Sequence, residues 1–183
     1  MKIFETPIKD LLVVQPTVFN DSRGYFFESF NEQKFNELTH TNTHFVQDNR
    51  AFSSYGVLRG LHFQNPPYAQ AKLVSVFKGK VLDVVVDIRK HSATYGQHFS
   101  IELTEENKTQ LFVPRGFAHG YVVLSQTAEF FYKCDNFYNK ASEGGLAYND
   151  PDLKIDWQIN MADAIVSEKD LVNPLFKNID SNF

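Results

Sequence analysis

The chain has a single cysteine, Cys134, among 183 residues. No disulfide can form within it, and that fits a reducing compartment. There is no basic excess: 18 Lys and Arg stand against 22 Asp and Glu, for a net charge of −4. A broad nucleic-acid footprint is therefore not expected. No apolar run approaches the length that spans a membrane, and the opening residues, MKIFETPIKD, hold no apolar leader core. The expectation is a cytoplasmic protein without a membrane partner. A glycine-rich phosphate loop and a GxSxG elbow are both missing.

Aromatic residues are plentiful, with 18 Phe and 8 Tyr, and they favour strands. The text is mostly short strands between turn signals. In VLDVVVDIR, Leu82, Val84, Val86 and Ile88 form one apolar face, while Val81, Asp83, Val85 and Asp87 form a mixed one. TQLFVPRGFAHGYVVL reads as two strands around the turn at Pro114 to Gly116. SIEL and EFFYKCDNFY read as two more. Helical text is scarce: FNEQKFNELTH has Asn31 as an N-cap, and SEKD at Ser167 to Asp170 fits a capping turn. Many short strands predict an antiparallel sandwich or barrel, in a single domain over residues 1–183 with short extensions at both ends.

The stretch GVLRGLHFQNPPYAQAKLV, Gly56 to Val74, holds the chemistry-bearing side chains. Lys72 shares strand parity with Val74 and Val76, so a lysine lies on an apolar face. Tyr132 shares the parity of Phe130 and Cys134. An inward His, Lys and Tyr on separate strands are costly to bury without purpose. A histidine can take a proton near neutral pH, and a lysine can stabilise charge developing on oxygen. Singly, each is better explained by packing or by a hydrogen-bonded core position, and together they point to a pocket more than to catalysis. Metal binding is not expected. His62 is followed two residues later by Gln64 where a second ligand would be needed, and His119 alone is a weak addition. His40, His44, His91 and His98 lack ligand spacing and read as surface residues. Cys134 reads as core.

The blocks DSRGYFFESF, QDNRAFSSYGVLRGLHFQNPPYAQAKLV, VPRGFAHGY, YKCDNFY and SEKD, in that order, resemble the dTDP-4-dehydrorhamnose 3,5-epimerases. The resemblance implies an all-β, cupin-type double-stranded β-helix, or jelly roll, acting as a metal-free homodimer with no cofactor. It implies inversion at C3 and C5 of a thymidine-diphosphate 4-keto-6-deoxyhexose. By the same resemblance His62 is the base, Asp170 holds its ring, Lys72 stabilises the enolate and Tyr132 returns a proton from the opposite face. Arg59 and Arg23 suit the diphosphate. Glu28, Gln47, Asp48 and Asn49 would meet the nucleoside or sugar. Phe26 and Tyr138 offer aromatic faces, with Tyr138 stacking on thymine. His119, Glu143 and Lys169 complete the set. Arg23, Phe26 and Glu28 are expected to serve the partner's site. Three alternatives stay open from sequence alone: an epimerase that inverts one carbon, a non-catalytic sugar-nucleotide binder, and a metal-dependent cupin oxygenase, against which Gln64 argues.

Overall fold

The computed structural model describes residues 1–183. Fourteen strands run in chain order: β1 (Lys2–Glu5), β2 (Leu12–Gln15), β3 (Val18–Asp21), β4 (Gly24–Phe27), β5 (Gln47–Ser54), β6 (Val57–Gln64), β7 (Lys72–Lys78), β8 (Lys80–Asp87), β9 (His98–Thr104), β10 (Gln110–Val113), β11 (Phe117–Val123), β12 (Thr127–Cys134), β13 (Glu143–Gly145) and β14 (Ile165–Val166). Two helices accompany them, α1 (Glu32–Thr39) and α2 (Glu168–Leu171). Asn31 caps α1 by accepting from the Lys34 N–H, and Ser167 caps α2 through the Asp170 N–H, both as their side chains predict.

One sheet has the order β1-β2-β10-β7-β12-β5, and the second has β13-β6-β11-β8-β9, with β14 added in parallel beside β6. β3 and β4 form a separate hairpin. The two sheets face each other as a cupin-type jelly roll, the architecture that the resemblance implies. The sheets cover one another's apolar faces, which is how such a sandwich forms its core. Val74, Val76, Val81, Val85, Leu111, Tyr121 and Phe130 fill the space between them.

Two further apolar layers lie outside the sandwich. Leu58, Leu61, Leu82, Val84 and Val86 on the back of the second sheet are covered by Leu146, Leu153 and Trp157 of the C-terminal stretch. Phe35 of α1 seals the outer face of the first sheet against Val14, Leu73 and Phe112. The mixed face of VLDVVVDIR is thus no solvent face. Asp83 and Asp87 are 0 % exposed inside the fold, and the dry face lies under the tail. The tail, polar to the eye, also supplies β14 and α2.

One irregularity governs the site. Regular alternation would send Arg59 and His62 to opposite faces of β6. Opposite β11 the register shifts, so that His62 faces His119 while Arg59 faces Tyr121. The extra residue of this bulge turns both side chains inward. Gly60 makes it possible: its φ is +129°, and a Cβ there would lie 2.6 Å from the Gly120 Cα.

Candidate active site

Two cavities, of about 580 and 310 Å³, meet at His62, Lys72 and Tyr132. The larger also takes in Arg59, His119, Tyr121, Lys169 and Asp170. The smaller is lined by Gln47, Asn49, Gln64, Tyr138 and Glu143 among others. His62 comes from the second sheet, Lys72 and Tyr132 from the first, so the space is walled from two sides. A larger groove, of about 870 Å³, runs along the N-terminal segment. Its arginines are spent on ion pairs, Arg89 with Asp10 and Asp87 and Arg115 with Asp135, and it lacks this grouping.

His62 Nε2 and Asp170 Oδ1 are 2.5 Å apart, and Asp170 is 4 % exposed. The capped turn of α2 delivers that carboxylate, and the Gly60 N–H donates to its other oxygen at 3.4 Å. Burial pushes the Asp170 carboxyl up. The bond from His62, the His62 charge and the Gly60 and Ser167 hydrogen bonds outweigh it and hold the group below the ordinary carboxylate range. With Nε2–H donated to Asp170, the imidazole keeps the lone pair of Nδ1 for a proton.

Lys72 is half-buried and forms no ion pair, its Nζ lying 6.0 Å from the centre of the Tyr132 ring. Burial lowers its pKa, and Cys134, Asp83 and Glu143 partly restore it. An unpaired ammonium in such a place suits a developing oxyanion. Tyr132 is pushed up to about 12, chiefly by burial and then by Cys134 and Tyr121, against the pull of Arg59. Its phenol therefore holds its proton at neutral pH and is an acid in waiting.

His119 is 6 % exposed, with Nε2 at 2.9 Å from Asp83 Oδ2. Burial holds the Asp83 carboxyl above its ordinary range, with the His119 charge and hydrogen bond and the Lys72 charge only partly opposing it. The imidazole is thus both buried and part of the cavity wall. Glu143 pairs with Lys169 and accepts from the Tyr138 hydroxyl at 3.1 Å. Gln47 Oε1 accepts from the Tyr138 N–H, and Gln47 Nε2 donates to Asn49. Gln64 Oε1 accepts from the Asn139 N–H, fixing the amide at the place where a metal ligand would be needed.

Asp48 does not join this group. It lies between Gln47 and Asn49 on β5, so its side chain takes the opposite face, where it pairs with Lys133 at 2.8 Å. Arg23, Phe26 and Glu28 also line neither cavity. Arg23 holds Asp21 at the tip of the β3–β4 hairpin, Glu28 holds Lys34, and Phe26 is 71 % exposed. Sequence reading overlooked Asp83, which holds His119, and Tyr121, which lines the larger cavity. Tyr121 was within reach, since it shares strand parity with His119 in AHGY.

The family model for dTDP-4-dehydrorhamnose 3,5-epimerase matches residues 5–178. The chain belongs to this family. It is 49 % identical over 175 residues to the dTDP-4-dehydrorhamnose 3,5-epimerase of Salmonella typhimurium, covering 96 % of this chain and 95 % of that one. The crystal structure of the Elizabethkingia anophelis enzyme of the same description superposes with a TM-score of 0.94 at 61 % identity, covering 97 % of each chain. The dTDP-6-deoxy-D-glucose-3,5-epimerase of Legionella pneumophila, solved in complex with dTDP-4-keto-L-rhamnose, superposes with a TM-score of 0.94 at 45 % identity. It covers 98 % of this chain and 94 % of its own. The family bears out both the jelly roll and the epimerase class.

Proposed function

We propose that the chain converts dTDP-4-keto-6-deoxy-D-glucose to dTDP-4-keto-L-rhamnose by inverting C3 and C5. The observation that carries the reading is His62 on one sheet, held by Asp170 of α2, facing a protonated Tyr132 on the other sheet, with Lys72 lining both cavities. A hydrogen beside a ketone leaves as a proton once a base is placed and the enolate oxygen is stabilised. His62 Nδ1 takes the proton, and Asp170 supports the imidazolium. The electron pair moves onto the C4 oxygen, beside the Lys72 ammonium. Tyr132 then gives its proton to the same carbon from the other face, the ketone re-forms and the configuration is inverted. Proton return from His62 to Tyr132 through solvent resets the site.

Arg59 holds the diphosphate through its guanidinium fork. Tyr138, with Gln47 and Asn49 beside it, holds the thymidine end. Lys169 and Glu143 close the mouth over it. His119 faces the sugar with its ring oriented by Asp83.

The protein works as a homodimer in the cytoplasm. The outer face of the first sheet carries Phe52, 61 % exposed, and Phe77, 49 % exposed and stacked on Phe131 at 4.8 Å. Such an aromatic patch is unfavourable in water and suits a second copy. Arg23, Phe26 and Glu28, idle in their own chain, serve the partner's site in that dimer.

The test is proton NMR of the protein with dTDP-4-keto-6-deoxy-D-glucose in heavy water, with a downstream 4-keto reductase reading configuration. Deuterium enters at both C3 and C5, and the product has the L-rhamno configuration. Exchange and inversion confined to one carbon would instead mark a single-site epimerase.

A further inference from the structure

The mechanism leaves one buried polar atom unused. Tyr121 is 5 % exposed, its ring stacked on Phe130 at 4.0 Å and 17°. Its hydroxyl is enclosed and makes no well-formed hydrogen bond in the chain, with Ser53 and Arg59 as its polar neighbours. A buried hydroxyl without a partner is costly, so the position asks for an acceptor from outside. The residue lines the larger cavity, directly across from Arg59 in the β11–β6 register.

The surroundings say what kind of acceptor. Ser53 and Arg59 are polar neighbours that act on the Tyr121 phenol, and Tyr121 and Arg59 both act on Tyr132. Arg59 donates Nε–H to Ser53 Oγ at 3.2 Å, and its guanidinium forms no ion pair with a carboxylate of the chain. Ser53 Oγ, having accepted, still has its own proton to give. Two hydroxyls and a guanidinium fork therefore converge with donors in surplus, and the nearby carboxylate, Asp83, is taken by His119. That is a set for an anionic oxygen.

We propose that the Tyr121 hydroxyl donates to the phosphoryl group bonded to the sugar C1, sharing it with Arg59 and Ser53. The assignment rests on the dTDP-sugar reading of the site given above. It adds a substrate-positioning residue at the joint between sugar and diphosphate. Of the two phosphoryl groups the sugar-linked one is chosen because Tyr121 lies deeper than the exposed Arg59, on the side of Tyr132, where the reacting carbons must sit. The contact fixes the depth of the sugar between His62 and Tyr132.

The experiment is calorimetric titration of wild type and Tyr121→Phe with dTDP and with dTMP. dTDP carries a terminal phosphate in place of the sugar-linked one, and dTMP lacks it. The ring, and so its stack on Phe130, is kept in the variant. A hydrogen bond to a charged group is worth on the order of tenfold or more in affinity. The variant should therefore bind dTDP roughly tenfold more weakly and dTMP as wild type does. Equal losses for both ligands, or no loss for dTDP, would overturn the contact. Wild type that binds neither ligand would overturn the dTDP-sugar reading itself, a failure distinct from lost discrimination in the variant.

Discussion

Tyr132→Phe isolates one proton. The ring stays beside Phe130, 6.0 Å away centre to centre, and only the hydroxyl goes. Burial holds that hydroxyl protonated, with a pKa of about 12, so the variant loses a donor and no charge. The opposite wall is untouched, His62 still meeting Asp170 at 2.5 Å, and Lys72, on the same sheet as Tyr132, still faces the cavity. Enolate formation therefore persists, and the imidazolium can hand a proton, exchanged with solvent, back to the original face. Inversion needs both walls, whereas exchange needs one. Loss of a placed general acid costs on the order of 10²–10⁴-fold. Inversion should fall by that factor while deuterium wash-in at C3 or C5 falls far less. Both are read from one NMR time course in heavy water, with His62→Asn as the variant that loses both. Inversion near the wild-type rate, or exchange lost as completely as in His62→Asn, would sink the division of labour between the two sheets.

Asp170→Asn should lower turnover by roughly 10²–10⁴-fold, because the imidazolium loses its carboxylate. It should also flatten the acid limb of stability. The folded carboxyl lies below its ordinary 3.8, so its contribution is complete above about pH 4 and is lost as pH falls through the folded value. Urea midpoints against pH read this directly, and an unchanged acid limb would refute it. Mixing Arg23→Ala with His62→Asn subunits should restore activity, since one site of a mixed dimer would carry neither defect. Confirmed subunit exchange without recovery would place Arg23 in its own protomer's service. Gly60→Ala should cost about 3 kcal/mol, from the positive φ and the clash with Gly120, lowering Tm by about 6–12 °C. Calorimetry showing a wild-type Tm would mean that the bulge is not as tight as 2.6 Å.

Alternation along single strands determined much of this protein before any packing was known. It gave the strands around Pro114–Gly116, the inward parity of Lys72 with Val74, and that of Tyr132 with Phe130. The caps at Asn31 and Ser167 were equally local, since a side chain that accepts from an N–H three residues ahead needs nothing distant. The blocks around His62, Lys72 and Tyr132 were long enough to carry the family.

What alternation could not reach was anything set between strands. The bulge at Gly60 depends on how β6 meets β11, and it alone brings Arg59 and His62 to one face. Asp170 arrives 108 residues after His62, on a tail whose composition looks solvated. The two aspartates of β8 read only as part of a mixed face, because a strand does not announce that both its faces will be covered. Asp48 went the other way: its neighbours Gln47 and Asn49 point inward, and period two sends it out to Lys133. Above all, sequence names a base and an acid but not their separation. Only the closing of one sheet over the other sets His62 and Tyr132 on facing walls, because the apolar faces of both sheets must be buried against each other, and the cavity left between them is where a ring can be reached from both sides.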